Sequence, residues 1–441
     1  MKLLVTEFSL FLIFFGLHTT IALAPGGKLL VPFVLCIVGA VGILIANAHS
    51  ISFTTITTYG WLGVVLLVMA IITSFADHDL PQHILSSGLF LYSMVIAFAT
   101  FVGVSRMGLK RTSRFFLLMA CILILGATLE VHAGLKPVSD AFRQAVNGWQ
   151  SENLYNYATR DITEYGGIRP CFLATEPSIL GISTGYGILF WFLSGRKYRA
   201  WRFGAAMLLA AAGFVVVRSP TILVCLFVAF LFFVLELPIQ ELVPKARMIG
   251  LSISALLAIL IVPGIIAATT TYGKTSSFFQ RELAPPLIAA QALRHQPLFG
   301  TGFGGSGMLI QYGLDVASGS VEAERDMINI ALSERSVAKK LIASQFWEIW
   351  IDLGLLGSIL VLYFIWKLLG QLSVPNRFFV LSACALVLTM SGGVVNPGGW
   401  VGIFTAAALY KQYKQVRRAA KLPEAHEIVH ARINAADTSA A

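Results

Sequence analysis

Apolar residues in this chain run in long uninterrupted stretches, and polar residues are largely confined to the short segments between them. The apolar stretches fall at roughly 4–23, 29–48, 57–75, 84–104, 114–132, 178–195, 203–217, 220–237, 248–268, 346–367, 377–393 and 398–412. Most approach the roughly 20 residues that carry an α-helix across a bilayer. Hydrocarbon offers no water to backbone N–H and C=O groups, so such stretches must close their hydrogen bonds internally, as helices. The alternation over about ten residues that marks an outer-membrane barrel strand is absent. The pattern predicts an all-α, polytopic transmembrane bundle of about 12 helices, the last one short and glycine-rich.

Composition points the same way. Hydrophobic residues make up 57% of the 441 and charged residues 12%, against roughly 25% charged in soluble domains. That deficit excludes a soluble globular domain and makes the lipid bilayer the first expected partner. The net charge of +10 does not imply nucleic acid, because the basic residues cluster in short loops, where they report topology. Arg106, Lys110, Arg111 and Arg114 form one cluster; Arg196, Lys197, Arg199 and Arg202 form a second. Lys367 and Arg377 flank a third loop, and Lys411, Lys414, Arg417, Arg418 and Lys421 follow the last helix. A cytoplasmic N-terminus puts all four clusters inside and Asp77-His78-Asp79 outside. The reading is one transmembrane domain, 1–412, and a cytoplasmic tail, 413–441, with both termini inside. A single Lys before the first run and no small-residue cleavage site predict a retained first helix rather than a signal peptide. Of five cysteines only Cys171 lies in a loop, so no disulfide framework is expected.

Two connections are long, about 133–177 and 269–345, and both fall outside. Long structureless connections are uncommon unless functional. In the second, the apolar spacing over Phe278–His295 suits a helix lying on the membrane surface. Pro285 and Pro286 predict a break or kink in it, and Pro297 with Gly300 its end.

The outer loops also hold the candidate chemistry. Arg169 and Glu176 precede Pro177, which fits the first turn of a helix with a carboxylate against its positive end. A capping turn, with Arg169 as a surface charge, accounts for the same residues. Arg218 stands at an outer helix junction, where positive-inside bias argues against an idle arginine and snorkelling lowers its cost. Arg281 and Arg294 lie on the surface helix, ahead of Pro297-Leu298-Phe299-Gly300-Thr301-Gly302-Phe303-Gly304-Gly305. Its glycines imitate a dinucleotide fingerprint, but no strand precedes them, and a sharp turn back to the membrane explains them better. Glu348 and Asp352, four apart, share one face of the helix that follows. Trp347 and Trp350 suit either a binding surface or the interfacial aromatic belt. Histidines are scattered without zinc spacing, no hydrolase elbow is present, and no cofactor or metal is expected. Gly181 and Gly185 read as a small-residue packing contact.

Taken in order, these motifs resemble the O-antigen polymerase and ligase superfamily, including the Wzy-type polymerases of exopolysaccharide pathways. The resemblance is carried by residues 166–181, 214–222, 278–305 and 344–357: Arg169 with Glu176-Pro177-Ser178, Arg218 in its Ser/Thr turn, Arg281 with the Pro-Leu-Phe-Gly-x-Gly-x-Gly stretch, and Gly354-Leu355-Leu356-Gly357. It implies a fold similar to C-type glycosyltransferases (GT-C) in a bacterial inner membrane. It also implies metal-independent transfer of a glycan from undecaprenyl diphosphate at the periplasmic face. Arg169, Arg218, Arg281 and Arg294 would then bind diphosphate and glycan together with Trp347. Glu176, or else Glu348, would act as base, and a flippase and a chain-length regulator would be partners. Ligases of the superfamily carry a His about eleven residues before the first closing glycine, where this chain has Ala343, which favours a polymerase. The alternatives are an O-antigen ligase and a lipid-linked oligosaccharide flippase or other transporter. A transporter would favour broken helices, inverted repeats and charges at mid-membrane.

Topology is directly testable. Reporter fusions near residues 150 and 320 should report the outer compartment, and fusions near 110, 198 and 420 the cytoplasm; a cytoplasmic signal at 150 or 320 contradicts the reading.

Overall fold

The computed structural model describes residues 2–22, 33–147, 158–195, 200–237, 244–269, 278–305, 312–313, 316 and 344–439. No strand occurs among them. The helices are α1 (Lys2–Thr19), α2 (Val34–Ala46), α3 (Phe53–Asp77), α4 (Leu80–His132), α5 (Lys136–Asn147), α6 (Ala158–Tyr165), α7 (Pro177–Leu193), α8 (Ala200–Val217), α9 (Thr221–Leu235) and α10 (Pro244–Thr269). A π-helical turn (Phe279–Leu283) leads into α11 (Ala284–His295), followed by α12 (Gln345–Gln371), α13 (Arg377–Thr389) and α14 (Pro397–Ser439). Among the described residues six helices, α1, α3, α4, α8, α10 and α12, are long and apolar enough to cross a membrane. Four more, α2, α7, α9 and α13, are apolar but shorter. Large apolar side chains stand exposed along the long helices, Leu67, Val68 and Ile71 on α3 and Leu257, Leu260 and Ile261 on α10 among them. Such bands are costly in water and suit a lipid neighbour. The all-helical chain is thus compatible with a helical membrane protein.

The expected runs 84–104 and 114–132 are joined in α4, which is interrupted at Gly108, where φ is 72° and ψ is 153°. The chain doubles back there. Gly103 packs on Leu10, Phe116 meets Phe14 edge-on at 5.1 Å, and between them Arg111 reaches Glu7 at 3.0 Å. The other basic segments gather at this same end. Arg202 donates to Ser113 Oγ at 2.8 Å, and Gln412 donates to the Val104 carbonyl at 2.8 Å. Asn376, beside Arg377, donates to the Tyr410 hydroxyl at 2.9 Å. Glu236 at the end of α9, its side chain 4% exposed, receives Lys414 at 2.5 Å, Tyr413 at 3.1 Å, and Arg417.

Helix α7 runs through the middle, with nearly every side chain from Leu180 to Leu193 buried. Glycines make the close approach possible. A Cβ on Gly181 would lie 2.1 Å from Ser219 Oγ, and one on Gly185 would lie 2.7 Å from Cys225 Sγ. The packing role expected for this pair therefore holds, with α9 and the turn before it as the partner.

Helix α12 is broken at Gly354, where φ is 62° and ψ is −167°. The break parts two helical bonds, those from the Leu355 and Leu356 amides to the Ile351 and Asp352 carbonyls. Buried groups left unpaired would cost roughly 1–3 kcal/mol each. The glycine-rich segment fills the gap instead. Thr301 and Gly302 donate to the Ile351 and Asp352 carbonyls at 2.9 and 2.8 Å, while the Leu355 and Leu356 amides donate to the Pro297 and Leu298 carbonyls at 2.8 and 3.0 Å. The two glycines touch, since a Cβ on Gly300 would lie 2.5 Å from Gly354 N and one on Gly354 would lie 2.4 Å from Gly300 N. His83 Nδ1 pairs with the Phe303 carbonyl at 2.7 Å, and Phe303 stacks on Phe90. The expected sharp turn is present, and it is plugged into the bundle.

Gly354→Ala should cost at least about 3 kcal/mol, because its backbone region is nearly glycine-only and a methyl would strike backbone. Thermal unfolding in detergent measures this, with Gly60→Ala as control, since no atom lies within 4 Å of a Cβ there. An unchanged melting temperature for Gly354→Ala would show that the two segments are not interlocked.

Candidate functional site

The first long connection is not structureless. It contains α5 and α6, and the expectation of an irregular loop is corrected by an amphipathic pattern that packs Ser139, Arg143 and Asn147 of α5 inward at four-residue spacing. The segment after α6 then dives into the bundle. Phe172 wedges against Gly126, where a Cβ would lie 2.2 Å from its ring. Its carbonyl accepts from His18 Nε2 at 2.7 Å. The carboxylate of Glu130, buried near the end of α4, accepts the Cys171 amide at 3.1 Å and the Phe172 amide at 2.5 Å. Phe172 and Leu173 adopt positive φ, 36° and 68°, a costly conformation for bulky residues that the surrounding bonds must hold. Ser139 Oγ accepts the Leu173 amide at 3.1 Å, and Arg143 donates to the Thr175 carbonyl at 3.0 Å. Burial pushes the Cys171 thiol up to about 12, against Arg143 and Lys136 and aided by Glu130 and Glu176, so it stays a thiol rather than a nucleophilic thiolate.

Arg169 and Arg218 are drawn to one residue, Tyr165. Arg169 is buried, contrary to the surface position that a simple capping turn requires. Its Nε meets Asp161 Oδ1 at 2.9 Å, its amide donates to Asp161 Oδ2 at 3.2 Å, and its guanidinium carbon sits 3.8 Å from the Tyr165 ring centroid. Arg218 is half-buried, with φ of 53°, and its Nη1 donates to the Tyr165 carbonyl at 2.9 Å. Gly167 gives it room, since a Cβ there would lie 2.4 Å from Nη1. Asp161 cancels the charge of Arg169, whereas Arg218 has no carboxylate partner among the described residues. Arg218 is therefore the cation of this pair best able to bind an anion. Glu176 is exposed and accepts Ser178 Oγ at 2.8 Å; its side chain does not cap α7.

The remaining candidates lie around α11 and α12. Pro285 and Pro286 do not break α11 but stand in its first turn, where missing amides cost nothing. They deprive the Arg281 and Glu282 carbonyls of their i+4 donors, and the chain responds with a π register, Ala284 N–H bonding to Phe279 C=O. Arg281 is half-buried and Glu282 buried. Burial pushes the Glu282 carboxyl up to about 8, opposed by Arg281. Rather than lying free on a surface, α11 packs Ile288 and Ala292 in a cluster with Ile351, Trp347 and Trp350. Arg294 is exposed at its end. Glu348 accepts the Val394 amide and pins the turn before α14. Asp352 is buried near Thr301. Among the described residues no hydrogen bond or ion pair joins Arg281 to Arg169 or Arg218, and Ala343 lies outside them.

Sequence reasoning missed Glu130, Asp161, Tyr165 and Glu282. For Glu130 a signal existed, a carboxylate inside an apolar run; the others carried none beyond their place in the two long connections. The chain matches no protein-family model, and no curated protein sequence matches it.

Removing Asp161 should isolate a buried guanidinium. Asp161→Asn is expected to cost about 3–5 kcal/mol, and the paired change Asp161→Leu with Arg169→Met far less. Equal losses of thermal stability in the single and double variants would contradict a buried pair.

Proposed function

We propose that the chain is a bacterial inner-membrane polysaccharide polymerase of GT-C-like architecture, with about twelve spans, both termini cytoplasmic and the long connections periplasmic. The observation that carries the reading is Arg218. It is half-buried, held against the Tyr165 carbonyl and without a carboxylate partner among the described residues. It lies at the end of the bundle opposite the basic clusters, together with Arg169 and the start of α7. The motif resemblance supports the same reading.

The substrate is a growing glycan on undecaprenyl diphosphate, and the acceptor is a lipid-linked repeat unit. The acceptor hydroxyl oxygen attacks the anomeric carbon, the bond from that carbon to the diphosphate oxygen breaks, and the diphosphate leaves with the electron pair. Charge grows on phosphate oxygens, where a planar guanidinium that cannot lose its proton is suited to bind. Arg218 and Arg281 take that role, with Arg169 orienting through Tyr165, while Arg294 and Trp347 contact glycan. Glu176, exposed and already bonded to a hydroxyl, takes the acceptor proton as general base, and Glu348 is the second candidate. Removing one preorganised stabiliser of this kind typically costs on the order of 100- to 1,000-fold in rate. A flippase would deliver the repeat units, and a chain-length regulator would act on the polymer.

Arg218→Ala and Arg281→Ala should each abolish polymer and let single lipid-linked repeats accumulate. Lys should rescue poorly at either position, and Glu176→Gln should block polymer while leaving donor binding nearly intact. Full polymer yield from well-expressed Arg218 and Arg281 alanine variants would sink the proposal.

A further inference from the structure

Helix α5 has three faces, and only one of them meets the bundle. At roughly 100° per residue, Ser139, Arg143 and Asn147 share one face, and all three are buried. Ser139 Oγ accepts the Leu173 amide at 3.1 Å, Arg143 donates to the Thr175 carbonyl at 3.0 Å, and Asn147 donates to the Thr19 carbonyl at 3.3 Å. On one side of that face stand Asp140 and Gln144, a hydrophilic flank. Asp140 is shared between Lys136 at 3.4 Å and Arg143 at 2.8 Å. On the other side stand Val138, Ala141, Phe142 and Ala145, an apolar flank. Val138 is 62% exposed, both alanines are exposed and Phe142 is half-buried. The polar stripe thus faces protein and the apolar stripe does not, the reverse of a helix packed on a water-soluble core.

The ends of α5 set its level. Helix α1 and the second half of α4 run side by side from the Glu7–Arg111 pair to the opposite end of the bundle. Helix α5 starts at one of those ends, where the Ala133 and Leu135 amides both donate to the Leu129 carbonyl, at 3.0 and 3.2 Å. It finishes at the other, where Asn147 meets Thr19. Its 12 residues span about 18 Å, so α5 lies across the ends of two apolar helices rather than along either. Leu118, Ile122, Leu125 and Leu129 of α4 are a stripe of apolar side chains, all exposed, that runs up to this corner, and the Val138 flank continues it. An apolar flank beside a hydrophilic one suits a helix in the plane of a lipid surface, its apolar side reaching roughly 5–10 Å into the boundary of headgroups and acyl chains. We propose that α5 is such a helix, its Val138–Ala145 flank seated in the phospholipid surface of the membrane at the end away from Gly108. Seating that flank leaves the polar face turned to the bundle. The lipid surface then steadies the helix that holds Leu173 and Thr175, immediately before Glu176. Helix α11, over which the sequence pattern suggests a surface helix, instead buries its apolar residues against α12. The seat rests on the reading of the chain as membrane-spanning and on none of the polymerase chemistry.

Nitroxide labels test the seat in the full-length protein, reconstituted in phosphatidylethanolamine–phosphatidylglycerol vesicles with Cys121, the exposed cysteine, changed to Ser. Single cysteines replace Val138, Ala145, Gln144 and Leu125 in turn. Relaxation of each label by oxygen, which partitions into lipid, is compared with relaxation by a water-soluble nickel chelate. The oxygen-to-nickel ratio at Val138 and Ala145 should exceed that at Gln144 several-fold and approach that at Leu125. Ala141→Cys stands in if a label at Ala145 unfolds the protein. With Leu125 oxygen-dominated, ratios at Val138 and Ala145 no higher than at Gln144 overturn the seat and leave the membrane reading intact. Labels there that neither reagent reaches show the flank covered by protein, which overturns the seat as well. A nickel-dominated Leu125 overturns the membrane reading, and the seat falls with it.

Discussion

Every backbone amide and carbonyl inside an apolar bundle must find a partner, and a helix broken at depth has to be repaired by something else. In this molecule the repair of α12 is made by the segment Pro297–Gly302, which supplies two donors and two acceptors to the four groups released at Gly354. The arrangement ties the segment after α11 to α12, and through His83 and Phe303 to α4. It also fixes where α11 can lie, hence where Arg281 and Glu282 stand relative to Trp347. Interrupted helices are a mark of transporters, where the freed ends line a cavity and hold ions. Here the freed ends are filled by protein backbone, so the break serves assembly.

The same economy governs the charged residues at that end of the bundle. Glu130 spends both carboxylate oxygens on amides of the segment before α7, and Asp161 spends both of its own on Arg169. Arg218 is held differently, its guanidinium bonded to a carbonyl and given room by a glycine. A cation held by neutral groups keeps its field, and one held by an acid loses it. That distinction separates Arg218 from Arg169 although both meet at Tyr165.

The helical architecture was legible in the sequence because long apolar runs have one way to satisfy their own backbone, the internally bonded helix. Eleven of the twelve runs met helices close to the expected positions, and the twelfth, 398–412, proved to be the first part of the longer α14. The start of 29–48 lies outside the described residues. What was not legible depends on contacts distant in sequence. Nothing local in Asp161 announces that Arg169 will fold onto it, and nothing in Glu348 announces the Val394 amide. Proline disrupts helix interiors, so the pair predicts a break or kink; the structure puts both in a first turn, where the same missing amides are harmless. The glycines at 300 and 354 were each legible as turn-formers, but their mutual contact was not, since it needs both backbones in space.

Gly108 turns α4 back on itself with a single non-helical residue. A connection that short has no slack. The two halves can splay about that point as the arms of a compass do, but neither can slide along the other by a helical turn. Axial movement of one half must carry its companion, and with it the clasp that Glu130 forms at the far end. Rearrangement within this hairpin is therefore confined to opening and closing at the end away from Gly108, where the candidate site lies.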